Sequence, residues 1–197
     1  MINISTGKIE SPKFKLIVET ATGLFTKYGV KRVTVEEICS TAQVSKMTFY
    51  NYFKNKIELA EYIIFSILDE AQIEFDNICN QTNSFSEIID QFLKMKMDYA
   101  KRFSKEFYLD FINLSPKIHE RVISYSQENH KQFLELIKHG QETGEVRKDI
   151  NLKFITYMLN HLKELGEKEE LFEFYDNIEE MAMDMTRFYF YGIMGKK

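Results

Sequence analysis

Four hydrogen-bond donors crowd into one short stretch of this sequence: Lys46, Thr48, Tyr50 and Asn51. Side chains of these types donate to phosphate oxygens and to base edges in a major groove. Interleaved with them, Phe49 and Phe53 stand four apart and can pack on one side of a helix. The residues alone leave two readings open, a helix that reads nucleic acid or an ordinary solvated helix face. Other chemistries find less. There is no Gly-rich phosphate loop, no His-Glu-x-x-His and no serine or cysteine recognisably placed beside a base, so no catalytic residue is expected and the chain is not read as an enzyme. His119, His130, His139 and His161 include no pair at the i, i+4 spacing that sets two imidazoles on one metal, and neither metal nor other cofactor is expected. Cys39 and Cys79 fit neither a metal knuckle nor a disulfide framework, which points to a reduced, cytoplasmic protein. Cys39 reads as a small core residue, although a thiol near DNA could also sense oxidants.

The donor stretch sits among helix signals. From Pro12 to Tyr28, the residues Phe14, Ile17, Val18, Ala21, Leu24 and Phe25 are spaced to bury one side, and Gly29 suits the position after a helix end. Thr34-Val-Glu-Glu37 forms a capping box for a short helix ending near Ala42, and Ser45 can cap another almost at once. Two short helices joined so tightly cross steeply, as in a helix-turn-helix, and present the second, Lys46 to about Tyr52, outward. Charge supports this division. The chain carries −4 overall, yet residues 1–56 hold nine Lys/Arg against four acids, leaving +5 there and −9 elsewhere. A basic head on an acidic body suits a phosphate-binding module attached to something that stays off DNA.

The rest of the 197 residues is long enough to bury a real core. Glycine is absent from Val30 to His139, and the only prolines are Pro12 and Pro116, so an all-α chain of about nine helices is predicted. Ser84 and Glu87 read as a further capping box, followed by Phe85, Ile88, Phe92, Met95, Tyr99 and Phe103 on one face. Pro116 should start a long helix running to about Gly140. Ile150, Phe154, Tyr157, His161 and Leu165 draw one late stripe, and Leu171, Tyr175, Ile178, Met181, Met185 and Phe188 a second on a last helix. No segment approaches the ~20 apolar residues that span a bilayer, and no leader stretch stands at residues 1–10, so no membrane partner is expected.

The run from Thr34 to Leu59 resembles the DNA-binding signature of the tetracycline-repressor (TetR/AcrR-type) family, matching in order and spacing at Thr34, Ile38, Ala42, Val44-Ser45, Tyr50, Tyr52-Phe53, Lys56 and Leu59. The resemblance implies a three-helix head at 11–55 behind an arm at 1–10, and an effector-binding and dimerisation domain at 56–197. It implies phosphate contacts from Thr34, Tyr50 and Lys56, with Ser45, Lys46, Met47, Thr48 and Asn51 facing the groove. It also implies a ligand-responsive regulator, expected to be a repressor, that binds a palindromic operator in double-stranded DNA as a homodimer. Such a protein works in the cytoplasm, on the nucleoid when bound. The sequence departs from the family at Gln43 and Met47, where glycine is usual, and at Cys39, where alanine is usual. A helical ligand-binding or interaction protein with a degenerate head is the rival reading.

The resemblance also implies an effector pocket, and the aromatic and Met residues of the central helices suit an adaptable apolar cavity. The expected lining is Phe92, Met95, Tyr99, Phe103, Phe107, Tyr108, Phe111, Tyr125, Phe133, Tyr157, Met158 and His161. Nearby acids (Asp98, Glu106, Asp110, Glu128) would permit a lipophilic cation as well as an apolar effector. The dimer interface is expected from the last two helices, through Phe154, Met158, Leu162, Ile178, Met181, Met185 and Phe188.

Overall fold

The computed structural model describes residues 11–82, 84–166, 168–175 and 177–194. Among them run nine α-helices: α1 (Pro12–Tyr28), α2 (Val35–Thr41), α3 (Lys46–Tyr52), α4 (Lys56–Gln81), α5 (Phe85–Arg102), α6 (Lys105–Asn113), α7 (Pro116–Thr143), α8 (Leu152–Gly166) and α9 (Ile178–Ile193). One 3-10 segment, Glu169–Phe174, precedes α9, and the sole pairing of extended backbone among the described residues is a bridge between Val146 and Met194. The arm at 1–10 lies outside the described residues. No described helix is long and apolar enough to cross a membrane.

These helices form two compact units. The first takes the described chain up to Leu68 together with Phe103–Val122; the second takes Asp69–Arg102 and the chain from Ile123 onward. The unit that holds the helix-turn-helix therefore extends beyond residue 55 into α4 and recruits α6 and the start of α7. Its core is built from Phe14, Ile17, Phe25, Ile38, Phe49, Leu59 and Phe107, all buried. Each fully buried side chain of this size contributes about 1.5–3 kcal/mol. The second unit centres on Phe75, Phe92, Phe133 and Phe190, whose ring centroids lie 4.8–6.1 Å apart across α4, α5, α7 and α9.

Local chemistry sets most helix ends. Ser11 accepts from the Phe14 amide at 3.2 Å, and Pro12 opens α1 where its missing N–H costs nothing. Both halves of the Thr34–Glu37 capping box are made. Gly29 closes α1 at φ 80, and a Cβ there would lie 3.0 Å from Glu106 Cβ.

Three sequence expectations change. At Ser84 the reciprocal box is not made: Glu87 takes the Thr82 hydroxyl at 2.6 Å, and the start of α5 is held by Glu145, which accepts from the Phe85 and Ser86 amides and the Ser84 hydroxyl. Helix α7 runs past Gly140, which stays helical because its missing side chain admits Val146 and Phe85; a Cβ would meet a Val146 methyl at 2.6 Å. The last helix starts at Ile178 rather than Leu171, because Asn177 caps it by accepting from the Glu180 amide at 2.9 Å.

Candidate nucleic-acid interface

The sharp connection between α2 and α3 is made at Gln43, the one non-glycine residue with positive φ (52) among those described. An L-residue there costs on the order of 1–2 kcal/mol. The turn is secured by the Val44 amide donating to Cys39 O at 3.0 Å and by Ser45 Oγ accepting from the Thr48 amide at 3.0 Å. One face of α3 is then locked inward. Phe49 is fully buried, Phe53 stacks on Phe14 at 5.4 Å, and the Tyr52 hydroxyl hydrogen-bonds Ser11 Oγ at 2.5 Å. The opposite face is left to solvent: Met47 is 74% and Tyr50 54% exposed, with Ser45, Lys46 and Asn51 exposed beside them and Thr48 half-buried. A helix pinned by two buried phenylalanines while exposing a large Met and a Tyr is shaped to meet another surface.

The electrostatics refine the expected roles. Lys46 Nζ is hydrogen-bonded to Glu36, which holds that carboxyl below the usual range and raises the lysine. Both groups are solvent-exposed, so this pair is weak and a phosphate can compete for the ammonium. Thr34 is exposed at the start of α2; its hydroxyl oxygen accepts from the Glu37 amide, leaving its O–H to donate. Lys56 differs from expectation. Its ammonium caps two carbonyls of the α1–α2 connection, Lys31 O at 3.0 Å and Val33 O at 2.7 Å, and burial lowers its pKa. With two of three donors spent inside the head, its first task is structural.

Sequence reasoning missed a second clamp on the same connection. Asp110 of α6, 5% exposed, accepts from the Lys31 amide at 2.9 Å and pairs with Lys31 Nζ at 3.1 Å. The Ser104 amide adds a bond to Thr26 O at 2.8 Å. The available signal was an Asp beside Phe107 and Phe111, but a partner 79 positions away cannot be read from spacing. Cys39 is buried, and burial pushes its thiol up, which fits a core residue rather than a reactive one.

The residues expected to line an effector pocket are divided between the two units. Phe92, Met95, Tyr99, Tyr125 and Phe133 belong to the second unit, whereas Phe103, Phe107, Tyr108 and Phe111 belong to the first. Tyr157, Met158 and His161 lie on the outward face of α8, where Tyr157 is 57% exposed and stacks on His161 at 4.0 Å. The reason is register: Ile155, Leu159 and Leu162 face the core, so the neighbouring stripe points away. In the second unit the Tyr99 phenol is pushed up to about 12, first by burial and then by Glu74. Gln72, Asp76 and Gln132 hydrogen-bond one another, and Gln72 Oε1 is buried without a partner. The acids offered to a cation are dispersed, with Asp110 committed to Lys31 and Asp98, Glu106 and Glu128 exposed.

Of the residues expected at a dimer interface, Phe154, Met158 and Phe188 are exposed, Phe188 by 80%. Leu162 and Met185 are half-buried, and Leu162 packs on the core of its own unit. Met181 is 2% exposed, so its contacts are inside its own subunit and it is unavailable to a partner. The Ile178 side chain lies outside the described residues. Leu165 and Tyr191, not chosen from the sequence as interface residues, are also exposed.

Comparison with known proteins bears on both units. Residues 17–63 match the family described as bacterial regulatory proteins, tetR family. An HTH-type transcriptional regulator of Bacillus subtilis, YhgD, is 34% identical over 87 residues, 44% of this chain and 46% of that protein. The match thus spans less than half of the Bacillus relative's length. The HTH-type transcriptional repressor DhaR of a Mycobacterium is 24% identical over 149 residues, 71% of this chain and 73% of that one. Among solved structures, a TetR/AcrR-family regulator from Thermobifida fusca superposes with TM-score 0.67 at 25% identity, covering 89% of this chain and 94% of its own. A transcriptional regulator from Saccharomonospora viridis, solved in complex with choline, gives TM-score 0.70 at 16% identity, covering 92% and 97%.

Proposed function

We propose, from the match of residues 17–63 to the tetR family of bacterial regulatory proteins, that the protein represses transcription by binding a palindromic operator as a homodimer, which a small molecule entering the second unit dissociates. The observation that carries the reading is the geometry of α3, with Phe49 and Phe53 locked inward and Ser45, Lys46, Met47, Tyr50 and Asn51 turned out. Met47 offers an apolar contact to a thymine methyl, and Asn51 a bidentate pair to adenine. Thr34 and Tyr50 take phosphates; the third N–H of Lys56 is the only one left for that purpose. Glu36 must give up Lys46 when DNA arrives, which favours a register in which Lys46 meets phosphate.

A single head makes few contacts. A two-fold pair reads two half-sites with recognition helices ~34–36 Å apart. The exposed apolar positions Phe154, Tyr157, Met158 and Leu165 on α8, with Phe188 and Tyr191 on α9, support a second copy as the partner that covers them. Charge at Phe188 (Phe188→Asp) should leave a folded monomer in sedimentation at micromolar concentration; an unchanged dimer would remove α9 from the interface.

The effector is a small, mainly apolar molecule held in the second unit, near Phe92, Tyr99 and Phe133. That a regulator of the same fold was solved with choline supports a small-molecule site in such a chain. To weaken operator binding 5- to 150-fold, the effector must prefer the non-binding state by about 1–3 kcal/mol. The chain passes between units within α4, at the α5–α6 link and within α7, so the change travels along these segments. The α5–α6 link leads straight to Asp110 and its hold on Lys31. Selection of bound fragments from random DNA by the purified protein should enrich a palindrome. If no sequence is enriched, the repressor reading fails and the degenerate-head reading takes its place.

A further inference from the structure

The connection between α1 and α2 carries exposed side chains, yet it is held more firmly than an ordinary surface link. Lys56 caps Lys31 O and Val33 O, Asp110 accepts from the Lys31 amide, and the Ser104 amide bonds Thr26 O in the last turn of α1. Val30 and Val33 are fully buried on either side of Lys31 and Arg32, whose side chains are exposed. With so many of its backbone groups bonded, the link has little freedom left, and the cations it carries start from fixed places. Arg32 is also held along its side chain: the guanidinium lies over the Tyr28 ring, Cζ 4.4 Å from the centroid, and Lys27 Nζ stands 5.0 Å from the same centroid. Among the described residues no carboxylate pairs with Arg32 or Lys27, whereas Lys31 spends its ammonium on Asp110 and Lys46 on Glu36. A ring beneath a guanidinium leaves the N–H groups at its rim free to donate. This edge adjoins the recognition helix. Thr34, two residues after Arg32, caps α2, so the two Cα atoms are at most about 7.6 Å apart. Glu36, in the first turn of α2, holds Lys46 at the start of α3.

We propose that Arg32, braced on Tyr28, grips a phosphate of the DNA backbone beside the one taken by Thr34, so that the α1–α2 connection is a second, sequence-blind contact of each head. The partner chemistry is a phosphodiester, whose two free oxygens match the fork of a guanidinium. Lys27 adds to the field that draws the backbone in. This rests on the reading of α3 as the helix that meets DNA. It also gives the clamps a purpose, since Lys56 and Asp110 hold the connection in the place from which Arg32 reaches the backbone.

The test measures binding of the full chain to its selected operator and to a random-sequence duplex across a salt series, for wild type, Arg32→Met, Tyr28→Leu and Tyr28→Phe. Each phosphate contact contributes about 0.9 to the slope of log affinity on log salt, and a dimer carries two copies of Arg32. Arg32→Met should therefore flatten the slope by nearly two units. It should weaken operator and random duplex by the same factor, about 10- to 100-fold near physiological salt. Tyr28→Leu keeps the charge but removes the brace and should weaken both duplexes about 2- to 5-fold, while Tyr28→Phe, which keeps the ring, should bind as wild type does. Because Arg32 is exposed, the thermal midpoint of Arg32→Met should match that of wild type, which separates a lost contact from a lost fold. Replacing operator phosphates one at a time by neutral methylphosphonates then locates the contact: one position in each half-site should weaken wild type and leave Arg32→Met unaffected. The proposal is overturned if Arg32→Met leaves the slope unchanged, if its loss is confined to the operator, or if no methylphosphonate position tells the two proteins apart. Failure of the repressor reading looks different. In that case no palindrome is enriched, yet the random duplex still responds to Arg32→Met through its salt slope.

Discussion

The two units differ in how completely they satisfy themselves. In the first, the polar groups around the helix-turn-helix have nearby partners: Thr34 with Glu37, Ser45 with Thr48, Lys56 with two carbonyls, Asp110 with Lys31. On α3 it leaves one surface exposed, carrying Lys46, Met47, Tyr50 and Asn51. Among the described residues, the second unit keeps a buried Gln72 oxygen without a partner and apolar side chains on α8 and α9 facing solvent. Buried polar groups are normally paired, and large exposed apolar patches normally mark a partner surface. On the proposed reading, the first unit is a rigid reader finished before it meets DNA, whereas the second is finished by what binds it.

That contrast fails most severely when the ring that pins the reader is removed. Phe49→Ala empties a fully enclosed site and should cost about 3–5 kcal/mol in chemical denaturation, with loss of DNA binding. A loss under about 1 kcal/mol, the range of an ordinary surface change, would mean that α3 is not held as described. Next in size is Asp110→Ala, which strands the Lys31 amide and should cost about 1–3 kcal/mol, while Asp110→Asn, keeping an acceptor, should cost less. Equal losses would show that charge alone, not the amide bond, holds α6 to the α1–α2 connection. Smallest is Glu145→Gln in the second unit, at about 1 kcal/mol near neutral pH. Burial works against the Glu145 charge, but the bonds from Ser86, Phe85 and Ser84 outweigh it and hold the carboxyl below its usual value. A depressed carboxylate stabilises above its unfolded pKa and loses that contribution as pH falls through the folded one. The stability gap between wild type and Glu145→Gln should therefore close below about pH 4. A constant gap would assign the effect to shape instead of charge.

What was legible in the sequence was what acts over three or four residues. The Thr34 and Ser45 caps, the Phe49 and Phe53 pair and the outward surface of α3 all come from local spacing. The left-handed turn at Gln43 was legible only through resemblance, because glutamine gives no sign of positive φ. The clamps Asp110–Lys31 and Glu145–Ser84 were invisible, since each joins residues far apart in the chain, with separations of 79 and 61. On α8 both faces carry apolar side chains, so periodicity could not say whether Phe154 and Tyr157 or Ile155 and Leu159 turned inward.

Whether α3 reads bases is decided by measuring Asn51→Ala against wild type on the selected operator and on its single-base variants at one fixed salt concentration. If α3 lies in the groove as described, the substitution costs about 1–3 kcal/mol, and that cost disappears when one symmetric pair of base positions is already changed. An equal loss on every sequence would contradict it, leaving Asn51 as a phosphate contact and the helix as a backbone binder.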